Sequence, residues 1–373
     1  MTDPAFAAWL TGFRDRALAA GMTEATLGNL ATVSFLPDVV ERDRNQNEFS
    51  KAIWDYLDTA VSADRISAGQ AAMARHADLF AEIEARYRVE AEVVAAIWGL
   101  ESAYGVVRGD VPTLSALATL AFDGRRSAFF EGQLLAALTI LQSGDTTADR
   151  MRGSWAGAMG HTQFMPGSYL ERAVDFTGDG QRDIWGDDPA DALASTAAYL
   201  AGFGWTLGQP WGVEVTVPAG FDYTLAREGY RQTAAAWASL GVLALDGQPV
   251  AVPGTAQLLL PAGARGPGFL IWPNFNVIER YNTADAYVIA VGHLADRLRG
   301  GAPFNGDWPR DDRALTFAER QELQERLTGA GFDTRGIDGL IGPRTIAAIR
   351  AFQLANGLLP DGYASLRLLD GMR

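Results

Sequence analysis

The spacing of apolar residues changes along the chain, and this change constrains the fold more than any other feature. From residue 4 to about 171, apolar residues recur every three or four positions, which predicts amphipathic helices. In residues 211–275 this spacing gives way to alternation, as at Val213 and Val215, which predicts short strands and turns. Helical spacing returns at 283–298. We therefore expect a mainly α protein, an α+β body with a small β-rich insertion at about 211–275.

The C-terminal part has a different composition. Residues 300–315 (GGAPFNGDWPRDDRAL) are rich in Gly, Pro and charged residues, which is typical of a linker. We place the linker at 303–315, between a body of residues 1–302 and a small unit of residues 316–373. This composition predicts few contacts across the linker, so the body is expected to fold without the C-terminal unit.

Helix boundaries can be predicted in that C-terminal unit. Thr316 and Glu319 have the spacing of a capping box, which predicts the start of a helix. A second helix is predicted to begin at Pro343 and to end before Gly357.

The composition excludes several classes of protein. The net charge is −14 and no Lys/Arg-rich run is present, so nucleic acid is not an expected partner. The absence of cysteine excludes disulfides and cysteine-based zinc sites. No window approaches 18 uncharged apolar residues, so no membrane-spanning helix is predicted and membrane association is not evident. The first residues, MTDPAFAAWLTGFRDRA, carry charges within their apolar stretch and do not read as a signal peptide.

The chain has three histidines, His76, His161 and His293. No GxSxG, HExxH or phosphate-loop motif accompanies them. We therefore expect each histidine to be an ordinary core or surface residue.

One glutamate occupies an unusual position. Residues 91–104 (AEVVAAIWGLESAY) predict a helix that Gly105 stops, and Glu101 lies on the same face as Ile97 and Tyr104. Its apolar surroundings and its place near the negative end of the helix dipole both predict a raised pKa. A carboxylic acid that keeps its proton near neutral pH can act as a general acid. The alternative is a structural glutamate paired with an arginine at the edge of a core.

Several motifs favour the catalytic interpretation. GLESAYG (99–105) resembles the end of the catalytic helix in lysozyme-like lytic transglycosylases, and GSWAGAMGHTQFMP (153–166) resembles their second signature. DFTGDGQRDIW (175–185), DALASTAAYL (191–200) and RYN (280–282) follow in the order found in the lytic transglycosylase B family. The resemblance covers roughly residues 5–300 and implies a lysozyme-like catalytic body.

The resemblance implies the following site residues. Glu101 matches the single catalytic acid and base of the family. Seven further positions match residues that line the substrate cleft: Tyr56, Ser154, Met159, Gln163, Tyr199, Tyr281 and Asn282. The glycines of the second signature have two readings, since they either let the backbone approach a sugar or allow tight packing of helix and loop.

The activity implied is cleavage of peptidoglycan between N-acetylmuramic acid (MurNAc) and N-acetylglucosamine (GlcNAc), in the periplasm of a Gram-negative cell. The product would carry a 1,6-anhydro end, and no cofactor would be needed for the chemistry. Two alternatives stay open. A muramidase would hydrolyse the same bond with a second carboxylate, for which Asp110 or Asp183 could be nominated. A non-catalytic wall-binding scaffold would bind the glycan strands without cutting them.

The segment that begins at Asp175 resembles a calcium loop. The expected ligands are Asp175, Thr177, Asp179, Gln181 and Asp191. Position 12 of an EF-hand loop would be Gly186 instead of glutamate, and Gly186-Asp187 is inserted relative to the family pattern. A structural calcium ion and a metal-free turn held by aspartate side chains are therefore both open.

The C-terminal unit resembles the peptidoglycan-binding type 1 domain, a small three-helix module that holds enzymes to the cell wall. The match covers about 316–372 and includes the triplets Ile337-Asp338-Gly339 and Pro360-Asp361-Gly362. Both triplets are tight-turn signals. The alternative is a mini-domain that only packs on the body.

Overall fold

The computed structural model describes residues 3–44 and 51–373. These divide into two compact units. The first contains residues 3–44 and 63–207, and the second contains residues 51–62 and 208–373.

The first unit is almost entirely helical. Its helices are α1 (Pro4–Ala19), α2 (Glu24–Leu27), α3 (Pro37–Arg44), α5 (Ala63–Arg75), α6 (Ala77–Tyr87), α7 (Ala91–Ser102), α8 (Thr113–Asp123), α9 (Ser127–Ser143), α10 (Pro166–Arg172) and α11 (Ala190–Gly202). Its two short strands, β1 (Val111–Pro112) and β2 (Arg152–Gly153), pair antiparallel. Most residues of α7, α8 and α11 are buried, because these helices are apolar on nearly every side. Their burial places them in the core of the unit.

The second unit contains the predicted β-rich segment. Its strands are β3 (Gly212–Thr216), β4 (Arg231–Thr233), β5 (Leu243–Ala244), β6 (Thr255–Leu259) and β7 (Gly268–Ile271). They form one antiparallel sheet in the order β4-β6-β7-β3-β5. The sheet packs over a core that includes Trp237, Leu258 and Trp272. The helices of this unit are α4 (Ile53–Ala60), α12 (Ala234–Ser239), α13 (Pro273–Ile278), α14 (Asp285–Leu298), α15 (Phe317–Gly329), α16 (Pro343–Ala355) and α17 (Leu366–Met372).

The last three helices form the C-terminal module. The predicted capping box is present: the Thr316 hydroxyl accepts the Glu319 N–H, and the Glu319 carboxylate accepts the Thr316 N–H. Helix α16 begins at Pro343 and ends at Ala355, within the predicted limits. A small core, including Leu323, Leu327 and Ile349, joins the three helices.

Residues 303–315, the predicted linker, make several contacts within the second unit, whereas the independent folding of the body stays a prediction. Glu214 of β3 accepts the backbone N–H groups of Asn305 and Gly306, and Arg310 forms two hydrogen bonds with Asp58 of α4. The Trp308 ring packs against Trp54, with centroids 6.3 Å apart. Gly, Pro and charged residues prevent regular secondary structure here, but this segment forms hydrogen bonds and an ion pair with other parts of the second unit.

Among the described residues, no helix is both long enough and apolar enough to cross a membrane.

Candidate active site

Helix α7 brings Glu101 to the edge of the first unit's core. Val94, Ala95, Ala96 and Ile97 are completely buried, whereas Glu101, in the last turn, is half-buried. The carboxylate is therefore carried by one of the most deeply packed helices of the unit. The raised pKa expected for Glu101 stays a prediction.

The turn after Glu101 has a strained backbone. Ala103, Tyr104 and Gly105 adopt φ values of 49°, 60° and 86°, so α7 ends at Ser102 instead of continuing to Tyr104 as the sequence predicted. Left-handed backbone at a non-glycine residue costs about 1–2 kcal/mol. The turn persists because the Tyr104 hydroxyl donates to the Arg65 carbonyl at 2.9 Å and the Gly105 N–H donates to the Ser102 hydroxyl at 2.9 Å.

The glycines around this turn are places of close packing. A Cβ on Gly99 would lie 2.6 Å from the Tyr104 ring, and one on Gly105 would lie 2.6 Å from the His161 ring. In the second signature, a Cβ on Gly153 would overlap the Ala158 carbonyl, and one on Gly157 would overlap the buried Leu117 side chain. The structure thus supports the interpretation that these glycines allow tight packing of helix and loop.

The second signature folds as a loop tied to the end of α7. The Ser154 N–H donates to the Ala158 carbonyl at 2.8 Å, and the Ser154 hydroxyl accepts the N–H groups of Ala156 and Ala158. Gln163 has a left-handed backbone with φ of 55°, and its amide donates to the Arg108 carbonyl at 3.0 Å and the Gly160 carbonyl at 2.8 Å. These contacts fix the loop beside the residues that follow Glu101.

His161 lies at the centre of this arrangement. Its backbone carbonyl accepts the Ser102 hydroxyl at 2.5 Å, and its Nδ1 accepts the indole N–H of Trp98 at 3.2 Å. Its Nε2 lies 2.8 Å from the Gly186 carbonyl. An indole N–H can only donate, so Nδ1 is the acceptor and the neutral ring carries its proton on Nε2, toward the Gly186 carbonyl. The Arg108 guanidinium, whose Nη1 lies 3.2 Å from Nε2, can also only donate and therefore bonds to the Trp185 and Gly186 carbonyls. Burial, followed by the nearby Arg108 cation, lowers the pKa of His161, although the Gly186 hydrogen bond opposes the shift.

His161 is the organising residue that the sequence analysis missed. Trp98 and Ser102 flank Glu101 on α7, so the contacts of His161 fix α7 on both sides of Glu101. The one signal available was its position inside the second signature, between Gly160 and Gln163.

The other predicted cleft residues of the first unit differ in exposure. Ser154 and Gln163 are half-buried. Met159 is completely buried, which disfavours a direct contact with a substrate. Tyr199 of α11 is 8% exposed and packs against Phe164, with ring centroids 5.8 Å apart.

Three predicted cleft residues belong to the second unit. Tyr56 lies on α4 and is half-buried. Tyr281 and Asn282 lie between α13 and α14, where the side-chain Oδ1 of Asn282 accepts the Ala284 N–H at 3.0 Å. Their roles toward a substrate stay predictions.

Two family profiles match this chain. The transglycosylase SLT domain matches residues 5–296, and a peptidoglycan binding domain matches residues 318–372. The first match covers far more than half of the chain. The chain belongs to the SLT lytic transglycosylase family.

Relatives of known structure share the fold of this family member. SltB3 from Pseudomonas aeruginosa, in complex with NAG-anhNAM-pentapeptide, is 49% identical, with a TM-score of 0.96 and full coverage of both chains. The lytic transglycosylase Slt35 of Escherichia coli, in complex with calcium, is 29% identical, with a TM-score of 0.66 over 80% of this chain and 93% of that chain. The predicted lysozyme-like, mainly α fold is confirmed.

A curated relative is similar in sequence. Membrane-bound lytic murein transglycosylase B of Escherichia coli (strain K12) is 34% identical over 252 residues, which make up 65% of this chain and 66% of that protein. The chain thus spans about two thirds of the length of this relative.

The calcium-like loop of this transglycosylase is held by its own hydrogen bonds. The Asp175 carboxylate accepts the N–H groups of Gly178 and Gly180, and the Asp179 carboxylate accepts that of Gln181. Asp191 accepts the N–H groups of Phe176, Thr177 and Asp183. Within residues 3–44 and 51–373, no three acidic or histidine side chains gather as a metal site requires.

Proposed function

We propose that this transglycosylase cuts the β-1,4 bond between MurNAc and GlcNAc with Glu101 as its only acid and base. The observation that carries the proposal is the position of Glu101: half-buried at the end of α7 and next to a strained turn locked by Tyr104 and His161. Residues in strained backbone cluster at active sites, where the surrounding structure supports them. SltB3 in complex with NAG-anhNAM-pentapeptide supports a 1,6-anhydro product here as well.

The reaction needs one carboxyl group acting twice. Protonated Glu101 gives its proton to the glycosidic oxygen, and the bond from that oxygen to C1 of MurNAc breaks. The carboxylate then removes the proton of the C6 hydroxyl of the same sugar, whose oxygen closes onto C1. Glu101 ends protonated, as it began, and no water is consumed. Because the substrate supplies its own nucleophile, the chemistry requires no cofactor.

We assign the walls of the cleft to the remaining predicted residues. Ser154, Gln163 and Tyr199 would line it in the first unit, with Met159 supporting them from the interior. In the second unit, Tyr56, Tyr281 and Asn282 stay the substrate contacts that the family resemblance implies. The loop from Gly153 to Pro166 supports this assignment, because it is already fixed by hydrogen bonds. Such a wall loses little conformational entropy when a sugar binds.

Asp183 is poorly suited to be the second carboxylate that a muramidase needs. A muramidase needs a carboxylate that is available to activate water. One oxygen of Asp183 accepts the N–H groups of Trp185 and Gly186, and the other forms an ion pair with Arg150 at 2.7 Å. These contacts lower the pKa of Asp183 against the opposing effect of its burial. Both oxygens therefore hold the loop together.

Glu101→Gln tests the catalytic assignment. The amide keeps the shape of the side chain but cannot donate the proton, so turnover of purified sacculi should fall by roughly 10²–10⁴-fold with an unchanged melting temperature. Glu171→Gln, at an exposed glutamate of α10, is the matched control and should retain full activity. Turnover by Glu101→Gln at the wild-type rate would remove Glu101 from the mechanism.

Mass spectrometry of the products tests the reaction class. Anhydro ends support the transglycosylase, reducing MurNAc ends would identify a muramidase, and no product from the wild-type chain would identify a binding protein. The proposed partner is the peptidoglycan glycan strand, and the proposed location is the periplasm of a Gram-negative cell, which relatives from Escherichia coli and Pseudomonas aeruginosa support.

A bound calcium ion is not supported by the folded loop. The oxygen donors at Asp175, Thr177, Asp179, Gln181 and Asp191 are of the type that calcium prefers, and Slt35 has been solved with calcium. Here, however, the carboxylates of Asp175 and Asp191 are engaged by backbone N–H groups through both of their oxygens. Within the described residues these acidic side chains do not gather as a metal site requires, so the donor set as folded does not fit the ion and no step of the reaction is assigned to it.

A further inference from the structure

The C-terminal module contains the same turn twice. In the first turn, Gln324 of α15 donates to Asp338 Oδ1 at 2.9 Å and accepts the Gly339 N–H at 2.7 Å. In the second, Gln353 of α16 donates to Asp361 Oδ1 at 2.8 Å and accepts the Gly362 N–H at 2.9 Å. Both aspartates also accept the N–H two residues ahead, and both glycines have positive φ. We call these the Asp338 turn (337–340) and the Asp361 turn (360–363).

The Asp361 turn already holds a peptide segment. The Ala264 N–H, from the short 3₁₀ helix Gly263–Arg265 in the same unit, donates to Asp361 Oδ2 at 3.0 Å. One carboxylate oxygen thus builds the turn, and the other binds a backbone amide from outside the module. The Asp361 turn therefore shows what kind of ligand this geometry accepts.

The bound segment also shows which configuration the turn prefers. Gly263 has φ of 64°, the left-handed region that L-residues disfavour and D-residues, as mirror images, favour. A Cβ in the L position on Gly263 would lie 2.5 Å from Asp361 Oδ2 and 2.7 Å from the Tyr363 Cβ. The turn therefore excludes an L side chain at this position, and the backbone there has the left-handed conformation that a D-residue favours.

The Asp338 turn is exposed and bordered by apolar side chains. Ile337, Leu340 and Phe317 are 46%, 57% and 54% exposed, and the Phe317 ring packs on Gly339. Asp338 Oδ1 is used within the turn, while its Oδ2 has no hydrogen-bond partner in the part of the chain that the structure describes. This patch offers one carboxylate oxygen for an amide and an apolar surface for small side chains.

We propose that the Asp338 turn binds a peptide containing a small D-residue, whose following amide N–H is donated to Asp338 Oδ2. The source of the peptide rests on the proposed function, because the peptide stems of peptidoglycan carry D-alanine and lie on the strand that the enzyme cleaves. The Asp361 turn is the equivalent site used for internal docking. The module would thus bind the peptide stem while the cleft binds and cleaves the glycan strand.

The test uses the full chain in a Glu101→Gln background, so that nothing is cleaved during the measurement. The probe is a fluorescently labelled Lys–D-Ala–D-Ala peptide, and its binding is followed by anisotropy. Asp338→Asn keeps Oδ1 for the turn but replaces Oδ2 by an NH₂ group, which opposes a donor. Because hydrogen bonds to charged groups are the strong ones, we expect the Kd to rise roughly tenfold or more.

Two further arms make the result specific. Leu340→Ser should weaken binding several-fold, whereas Leu354→Ser, at a similarly exposed leucine of α16, should not change it. The all-L peptide should bind at least tenfold more weakly than the D-containing one. Equal affinity for both peptides, or an unchanged Kd in Asp338→Asn, overturns the proposal. Product analysis of the wild-type enzyme on peptide-free glycan is independent of this result, so a failure of the proposed function would be seen separately.

Discussion

Replacing His161 should show how the turn after Glu101 is held. The perturbation is His161→Leu, which keeps the volume of the ring and removes both of its hydrogen bonds. Trp98 is 2% exposed, so its indole N–H would be left buried without its partner, at a cost of about 1–3 kcal/mol. The Gly186 carbonyl keeps the Arg108 guanidinium, so that loss is near 1 kcal/mol. We expect His161→Leu to lower the free energy of unfolding by about 2–4 kcal/mol.

His161→Gln is the matched variant. The oxygen and nitrogen of an amide are separated by one carbon, as Nδ1 and Nε2 are, so glutamine can accept from Trp98 and donate to Gly186. It should cost less than about 1 kcal/mol. Urea unfolding followed by tryptophan fluorescence measures both variants. In a Trp98→Phe background, which lacks the indole donor, His161→Leu should cost less than it does alone. If glutamine destabilises the protein as much as leucine does, the hydrogen-bond explanation is wrong and ring packing decides the effect.

Three further predictions concern other parts of the molecule. The acidic side chains of the calcium-like loop do not gather as a metal site within the described residues, so the melting temperature should be the same in chelator and in millimolar calcium. A rise of several degrees with calcium would show that the loop rearranges to bind it. Burial lowers the pKa of His293 from 6.5 to about 4, so its contribution to stability is complete above pH 6.5 and falls by about 3 kcal/mol as the pH drops toward 4. His293→Leu should make the free energy of unfolding, measured by urea titration at pH 7 and pH 4, depend less on pH. An unchanged pH dependence in this variant would contradict the prediction. Gly157→Ala should lower the free energy of unfolding by about 2–4 kcal/mol, because the new methyl group overlaps Leu117. Gly144→Ala, at a glycine with similar φ and open space around it, should lower it by only about 1 kcal/mol. Equal losses in the two variants would refute the packing explanation.

Local sequence was enough to predict several elements and the candidate catalytic helix. The switch from helical spacing to alternation predicted the strands within 211–275, where β3 to β7 lie. The capping box at Thr316 is made of residues three positions apart, so its geometry depends on nothing distant. Glu101 was selected by its apolar face and by the motif around it. All of these features are local, because each is determined by residues within about one helical turn or one strand.

Only the tertiary structure decided how these pieces are used. The end of α7 at Ser102 depends on a hydrogen bond from Tyr104 to Arg65, 39 positions away, and on packing against His161. The contacts of residues 303–315 depend on Asp58 and Glu214, which no local pattern connects to them. The same holds for the two aspartate turns: their sequences are alike, and only the position of Gly263–Arg265 makes one a docking point and leaves the other exposed. A sequence pattern reports what a segment can form, whereas its partners are chosen by the packing of the whole chain, where distant residues compete for the same hydrogen bonds and the same space.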